Sequence, residues 1–193
     1  MSSAKAGMVK LGVILALYST IACVGLAFVY AGTEKVISAR HQADQDNALR
    51  ELFADADSFT PITDIKSPDP AVTIEPGGAF GAVKNGELTG LALRASRAGF
   101  SGTIRIFVGV GLDGKINGVK ILEQTETPGL GANAALPRFY NQFTGKHVTD
   151  AFVPKQDVIA ITAATITSRA VAESVKAAGE AAMAWFGAQG GSR

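Results

Sequence analysis

The chain has 193 residues and a formal net charge of +1. Hydrophobic residues make up 47 % of it and its mean hydropathy is +0.22, high for a soluble domain. Once an anchor is set aside, the rest suffices for one compact domain but not comfortably two. The near-neutral charge, with no dense Lys/Arg cluster and no interleaved aromatics, argues against nucleic acid as a partner.

The apolar excess is concentrated near the N-terminus. From Leu11 to Ala31 the chain runs for 21 residues without a charge, or roughly 31 Å as a helix, which matches a hydrocarbon core of about 30 Å. Lys5 and Lys10 precede the stretch, and Glu34, Lys35 and Arg40 follow it with less net positive charge. The positive-inside rule therefore predicts residues 1–10 in the cytoplasm, a transmembrane helix over 11–31 and the rest outside. Two other readings of the stretch stand beside this one. Val29-Tyr30-Ala31 loosely resembles a signal-peptide cleavage site. Cys23, the only cysteine, would be the acylated residue of a lipoprotein, although Thr20 then stands where such sites usually take Leu. With no second cysteine, the outer part has neither a disulfide nor a thiolate metal ligand. His41 and His147 are too isolated for a histidine metal site, so no metal is expected.

After the anchor, Thr33 is a candidate N-cap for a stalk helix reaching about Asp55, with Val36, Ile37, Ala48, Leu49, Leu52 and Phe53 as a weak apolar stripe. Pro61, Pro68, Pro70 and Pro76 then break the chain, so residues 32–70 read as stalk and connector. A domain is expected over 71–187. Strands are predicted at Ala79–Val83 and Leu88–Ala95 around Asn85-Gly86, and at Thr103–Val110 and Lys115–Leu122 around Asp113-Gly114. A loop at Pro128, Gly129 and Gly131 precedes a short helix around Ala134–Phe143, and Phe152-Val153 and Val158–Ile161 read as further strands. A last helix is predicted from Ser168 to about Phe186, with Val171, Val175, Ala178, Ala182 and Trp185 at spacings of three and four. Residues 188–193 read as a flexible, frayed tail. Strands first and helices later give an α+β domain with an antiparallel sheet packed by helices.

The segment Ile161–Val171 reads ITAATITSRAV. Read structurally, Thr167 or Ser168 caps the last helix and the other hydroxyl residues belong to a strand. Read functionally, a helix N-terminus offers free N–H groups and positive partial charge to a phosphate, and Ala163 and Ala164 let a bulky group approach the backbone. The residue chemistry alone leaves both readings open.

The segment resembles the flavinylation motif, Ser/Thr-Gly-Ala-Thr followed by x-Thr/Ser-Ser, of the G subunit of Rnf electron-transport complexes, shared with the C subunit of the sodium-pumping NADH:quinone reductase. Gln124-Thr125-Glu126-Thr127-Pro128-Gly129-Leu130-Gly131 contains a Glu-Thr-Pro-Gly-Leu-Gly loop similar to that family's. Gly99-Phe100-Ser101-Gly102-Thr103-Ile104, running on to Asp113-Gly114-Lys115-Ile116, resembles its strand entry and hairpin. Ala48-Leu49-Arg50-Glu51-Leu52-Phe53 after a single anchor agrees as well, so the likeness covers nearly the whole chain. The sequence departs from the pattern at Ala163, where the family usually has Gly. It departs again at Ile159, where the family usually has Asp; the nearest acid is Asp157.

The resemblance implies an FMN-binding domain with FMN esterified through its phosphate to Thr165, and an electron relay with no catalytic residue beyond the flavin. A flavin transferase would use FAD as donor, with the Thr165 hydroxyl attacking the phosphoryl group and AMP leaving. Thr162, Ala163, Ala164, Thr167 and Ser168 would surround the attachment point, and Arg169 would pair with the phosphate. Glu126, Thr127, Gly129, Leu130 and Gly131 would form the loop against the ring. The implied partners are integral membrane subunits, a second covalent FMN subunit, and iron–sulfur and NADH-linked subunits of an ion-translocating ferredoxin:NAD oxidoreductase in the cell membrane. Two alternatives remain at this point: the C-subunit equivalent of the quinone reductase, and a membrane-tethered binding or assembly domain of the same fold without flavin.

Overall fold

The computed structural model describes residues 2–190, without the side chains of residues 2–6, 8, 9, 31, 35–41 and 190. The expectations for the side chains of Lys5, Lys35, Val36, Ile37, Arg40 and His41, and for residues 191–193, lie outside the described residues. The chain divides into two compact units, Met1–Gln45 and Asp46–Arg193.

Helix α1 spans Ser2–Leu52 without interruption. Within it, Lys10–Glu34 is 25 residues long with a mean hydropathy of 2.2, long and apolar enough to cross a membrane by length and composition. Thr33 does not cap a second helix. Its hydroxyl donates to the carbonyls of Val29 at 2.9 Å and Tyr30 at 3.1 Å, the back-bonding of a threonine inside a helix.

The second unit is built on a five-stranded antiparallel sheet in the order β1-β2-β3-β4-β5. Its strands are β1 Ser58–Ile62, β2 Thr73–Lys84, β3 Glu87–Ala98, β4 Thr103–Gly111 and β5 Ile116–Glu123. The sheet thus begins upstream of residue 71, inside the expected connector. The proline that argued against a strand, Pro61, sits in edge strand β1, where a residue without an N–H costs no ladder bond on the open side. Asn85 and Gly86 both adopt positive φ, 53° and 81°, as a two-residue hairpin requires. The β4–β5 turn places only Gly114 there, at 76°, giving a three-residue loop.

Both faces of the sheet are covered. Helix α3, Thr165–Gly190, lays Val171, Val175, Ala178 and Ala182 on Leu91, Leu93, Ile106, Val108 and Val110. The residues of β3 and β4 that alternate with these, Ala92 and Phe107, meet Ala48, Leu49, Leu52 and Phe53 from the end of α1. Phe53 and Leu52 can reach the strands because three glycines leave room. A Cβ at Gly90 would lie 2.6 Å from Phe53 Cε1, one at Gly109 3.2 Å from Leu52 Cβ, and one at Gly118 3.1 Å from Leu52 Cδ2. The last turn of the expected stalk is therefore a core element of the second unit.

Between β5 and α3 the chain forms short turns. The helix expected at Ala134–Phe143 is three pieces: 3-10 turn η1 Gly131–Ala135, helix α2 Pro137–Tyr140 and 3-10 turn η2 Asn141–Phe143. The strands expected at Phe152-Val153 and Val158–Ile161 do not form; only an isolated Pro154–Val158 bridge remains. Phe152 and Lys155 have positive φ, 55° and 72°, which no strand accommodates. Asp157 holds this loop together, accepting from the N–H groups of Phe152 at 3.0 Å and Val153 at 2.6 Å and pairing with Lys146 Nζ at 3.1 Å.

Burial alone would raise the Asp157 carboxyl; the Val153 and Phe152 N–H groups and the Lys146 ammonium outweigh it and hold the group below the usual carboxylate range. A depressed folded value means that the ionised carboxylate stabilises the fold at all pH above its unfolded value, and that this contribution fades as pH falls through the folded value. Asp157→Asn should lower the stability of the detergent-solubilised chain by about 2 kcal/mol at neutral pH, the scale of lost hydrogen bonds to a charged group. The difference should begin to shrink below about pH 4, where the carboxyl of the unfolded chain protonates, and should close as pH falls through the lower folded value. Urea midpoints at both pH values test this; a gap that stays constant with pH would assign the effect to shape rather than charge.

Candidate functional site

The site is assembled where α3 begins. The Ile161 N–H donates to Ser168 Oγ at 2.9 Å, the Ser168 hydroxyl donates to the Ala164 carbonyl at 3.0 Å, and the Ala164 N–H donates to the Ile161 carbonyl at 3.0 Å. These bonds fold residues 161–164 into a tight turn, so the helix starts at Thr165, three residues before the expected Ser168. Thr165 is consequently the first helical residue and half-buried, not a strand residue. Its neighbours are N–H groups that have no acceptor within the helix.

Ala163 makes this turn at φ 58°, in the left-handed region. A residue with a Cβ pays about 1–2 kcal/mol there, so the Ala-for-Gly departure is a strained one. Ala163→Gly relieves the strain but gives the unfolded chain more freedom, leaving a net gain of about 0.5–1 kcal/mol. A higher urea midpoint is expected for the variant, and an equal or lower one would show that Ala163 sits there without strain.

Glu126 is buried and ties three segments together. Its Oε1 accepts from the N–H groups of Phe100 and Ser101, both at 2.9 Å, at the tip of the β3–β4 hairpin. Its Oε2 accepts from the Thr167 hydroxyl at 2.5 Å, in the first turn of α3. Glycine is needed around this carboxylate. A Cβ at Gly99 would lie 2.5 Å from Oε1, and one at Gly131 would lie 2.5 Å from Oε2 and 2.6 Å from Thr167 Oγ1.

A cavity of about 390 Å³ opens in front of Thr165, within the range of about 300–1,000 Å³ usual for small-molecule sites. Residues 163–167 form one wall, Glu126, Thr127, Leu130 and Gly131 another, and Phe100 stands at the side. The structure thus brings together most of the residues expected from sequence, with changed roles for two. Thr167 does not cap α3, because its buried hydroxyl is spent on Glu126. Both Glu126 oxygens are engaged by protein donors, so Glu126 positions the cavity walls.

The other expected site residues lie elsewhere. Gly129 and Thr162 line a neighbouring cavity of about 380 Å³ with Arg138, Gln142 and Ile159. Ser168 is buried beneath the turn. Arg169 lines a third cavity with Glu173, Lys176 and Glu180, past Phe152–Pro154. Ile159 is 79 % exposed, its backbone held by the Gln142 side chain through Ile159 N–H to Oε1 at 2.7 Å. Asp157 is committed to the 152–158 loop through its bonds to Phe152, Val153 and Lys146. Phe100 and Ile166 escaped sequence reasoning. An aromatic flanked by glycines at a hairpin tip, in Gly99-Phe100-Ser101-Gly102, was the available signal for the first.

The residues present fit a flavin phosphate ester. A half-buried hydroxyl stands at a helix N-terminus suited to an anion, beside a cavity of ligand size with the apolar walls Phe100, Leu130 and Ile166.

Residues 99–180, which include every residue lining this cavity, match the model of the FMN-binding domain family. The chain is similar to the G subunit of an ion-translocating oxidoreductase complex of Methanosarcina acetivorans, 30 % identical over 88 % of this chain and 91 % of that one. It is similar to the G subunit of a proton-translocating ferredoxin:NAD(+) oxidoreductase complex of Clostridium ljungdahlii, 33 % identical over 80 % of both chains. A crystal structure of the C subunit of the Na(+)-translocating NADH-quinone reductase of Parabacteroides distasonis shares the fold, with a TM-score of 0.53 at 20 % identity over 77 % of this chain and 94 % of that chain.

Proposed function

The chain belongs to the G-subunit family of Rnf-type ion-translocating oxidoreductase complexes, and we propose that it serves as their electron relay, with FMN bound covalently to Thr165. The observation that carries this reading is the half-buried Thr165 at the start of α3, facing a ligand-sized cavity inside the FMN-binding match. In maturation, the Thr165 hydroxyl oxygen would form a bond to the flavin-side phosphorus of FAD as the pyrophosphate bond breaks and AMP leaves, and the hydroxyl proton would pass to a base on the transferase. The product is a phosphodiester with about one negative charge, which the first N–H groups of α3 are placed to hold. When bound, FMN supplies reversible one- and two-electron chemistry. The chain's own residues hold it, shield one side and set its surroundings; no independent turnover is assigned to them.

The proposal extends to the assembly. Lys10–Glu34 crosses the membrane once, with the N-terminus in the cytoplasm and the FMN-binding domain outside. The partners are the other subunits of a ferredoxin:NAD-type complex: integral membrane subunits, a second covalent FMN subunit, and iron–sulfur and NADH-linked subunits. A covalent ester keeps the cofactor in place where free flavin is scarce.

One experiment tests both site and topology. Trypsin cuts after Lys155 and Arg169, so the peptide Gln156–Arg169 carries Thr165. Trypsin added to intact spheroplasts should release this peptide with the added mass of one FMN less water. The bare mass alone would remove the flavin and leave a binding or assembly domain. Release only after lysis would place the domain inside the cell.

A further inference from the structure

Phe100 is 72 % exposed, an apolar ring standing in water, and yet its backbone N–H is anchored on a buried side chain. The Gly99 N–H donates to the Gly102 carbonyl at 2.7 Å, closing the hairpin tip. The Phe100 and Ser101 N–H groups both end on the buried Glu126 carboxylate. The same carboxylate is bonded to Thr167, two residues after Thr165. The tip, the loop and the first turn of α3 are thereby joined through one side chain, which fixes where Phe100 stands relative to Thr165. Leu130 and Ile166, 40 % and 56 % exposed, complete the apolar rim of the same cavity. A buried carboxylate spent on holding an exposed aromatic points to something that covers that aromatic.

Resting on the reading of Thr165 as the flavin site, we propose that Phe100 is the ring-contact residue of this domain, packing its phenyl face against the isoalloxazine. The ligand chemistry follows from the wall. A planar aromatic ring gains from a second aromatic beyond the area it buries, by offset stacking or edge-to-face contact, and the cavity offers that partner only at Phe100 among its lining residues. Glu126 acts at one remove, as the positioning residue that aims the hairpin tip.

The test is Phe100→Trp in the full chain, produced with a flavin transferase and solubilised in detergent. An indole in van der Waals contact with an excited flavin quenches it by electron transfer, whereas phenylalanine does not. Flavin fluorescence of the native variant should fall severalfold below that of the parent, and return to parity once both are denatured. A second variant, Phe100→Ala, should leave the covalent flavin band on a denaturing gel intact, shift the native visible spectrum and open the flavin to quenching by dissolved iodide. Covalent flavin with undiminished native fluorescence in Phe100→Trp, or with parent-like iodide access in Phe100→Ala, would overturn the ring contact while leaving the Thr165 reading standing. A denaturing gel without flavin in the parent itself would sink both.

Discussion

Thr165→Val should yield a chain that is made, inserted and folded but carries no flavin fluorescence on a denaturing gel. Valine keeps the shape of threonine at the first position of α3 and removes only the oxygen that would form the ester. Electron transfer through the assembled complex should fail with it, since FMN held without a covalent bond dissociates. Thr165→Ser restores an oxygen and should recover some flavin. Thr167→Val is the matched control, and the structure changes what it controls for. The Thr167 hydroxyl is buried against Glu126, and its loss leaves one carboxylate oxygen short of a donor, costing about 1–3 kcal/mol. Covalent flavin should survive that loss. Flavin retained in Thr165→Val but lost in Thr167→Val would move the attachment two residues along the helix; flavin retained in both would remove this motif as the site.

The second large effect is expected at Glu126. Replacement by Ala removes the acceptor of the Phe100 and Ser101 N–H groups at the part-buried hairpin tip and of the buried Thr167 hydroxyl. The stranded Thr167 hydroxyl costs about 1–3 kcal/mol and each lost bond at the tip about 0.5–1.5 kcal/mol, so the sum reaches about 3 kcal/mol. That is a large share of the roughly 5–15 kcal/mol that holds a domain folded. Glu126→Gln keeps one acceptor oxygen and should fall between Ala and the parent. Thermal or urea unfolding of the solubilised chain reads the order directly, and flavin yield should follow it because the carboxylate sets the geometry around Thr165. Parent-like midpoints in Glu126→Ala would mean that the hairpin tip and α3 are held by other contacts.

The sequence made some of this plain and hid the rest for identifiable reasons. The paired strands on either side of Asn85-Gly86 and Asp113-Gly114 were legible because turn chemistry and apolar-rich runs coincide there. The last helix was legible from its three-and-four spacing, but its start was not. The hydroxyl run at 165–168 reads as a cap, whereas Ser168 and Thr167 bond backward to the turn and sideways to Glu126. Phe152-Val153 and Val158–Ile161 read as two strands from their Val and Ile content. They fold as a loop because Asp157 offers the backbone a better set of acceptors than a ladder would. Strand β1 was masked by Pro61, a residue whose meaning depends on whether the strand is central or at an edge. Of the site, the residues recognised by pattern largely converge on one cavity. The bonds of Glu126 to the hairpin tip and to α3 were not legible, because nothing local shows that a carboxylate's partners will come from a hairpin and a helix tens of residues away.

The glycines at 90, 109 and 118 that admit Leu52 and Phe53 also set an order of events during synthesis. Asp46–Phe53 leaves the ribosome before any strand, yet its seat exists only when β3, β4 and β5 stand side by side. The segment must therefore wait, with Leu49, Leu52 and Phe53 exposed, until the sheet behind it has closed, and its docking is a late, non-local step of the kind that slows folding. A soluble form trimmed to begin after Phe53 would never complete that step. It would carry Phe107 and Ala92 bare on one side of the sheet, a sticky surface that invites other chains.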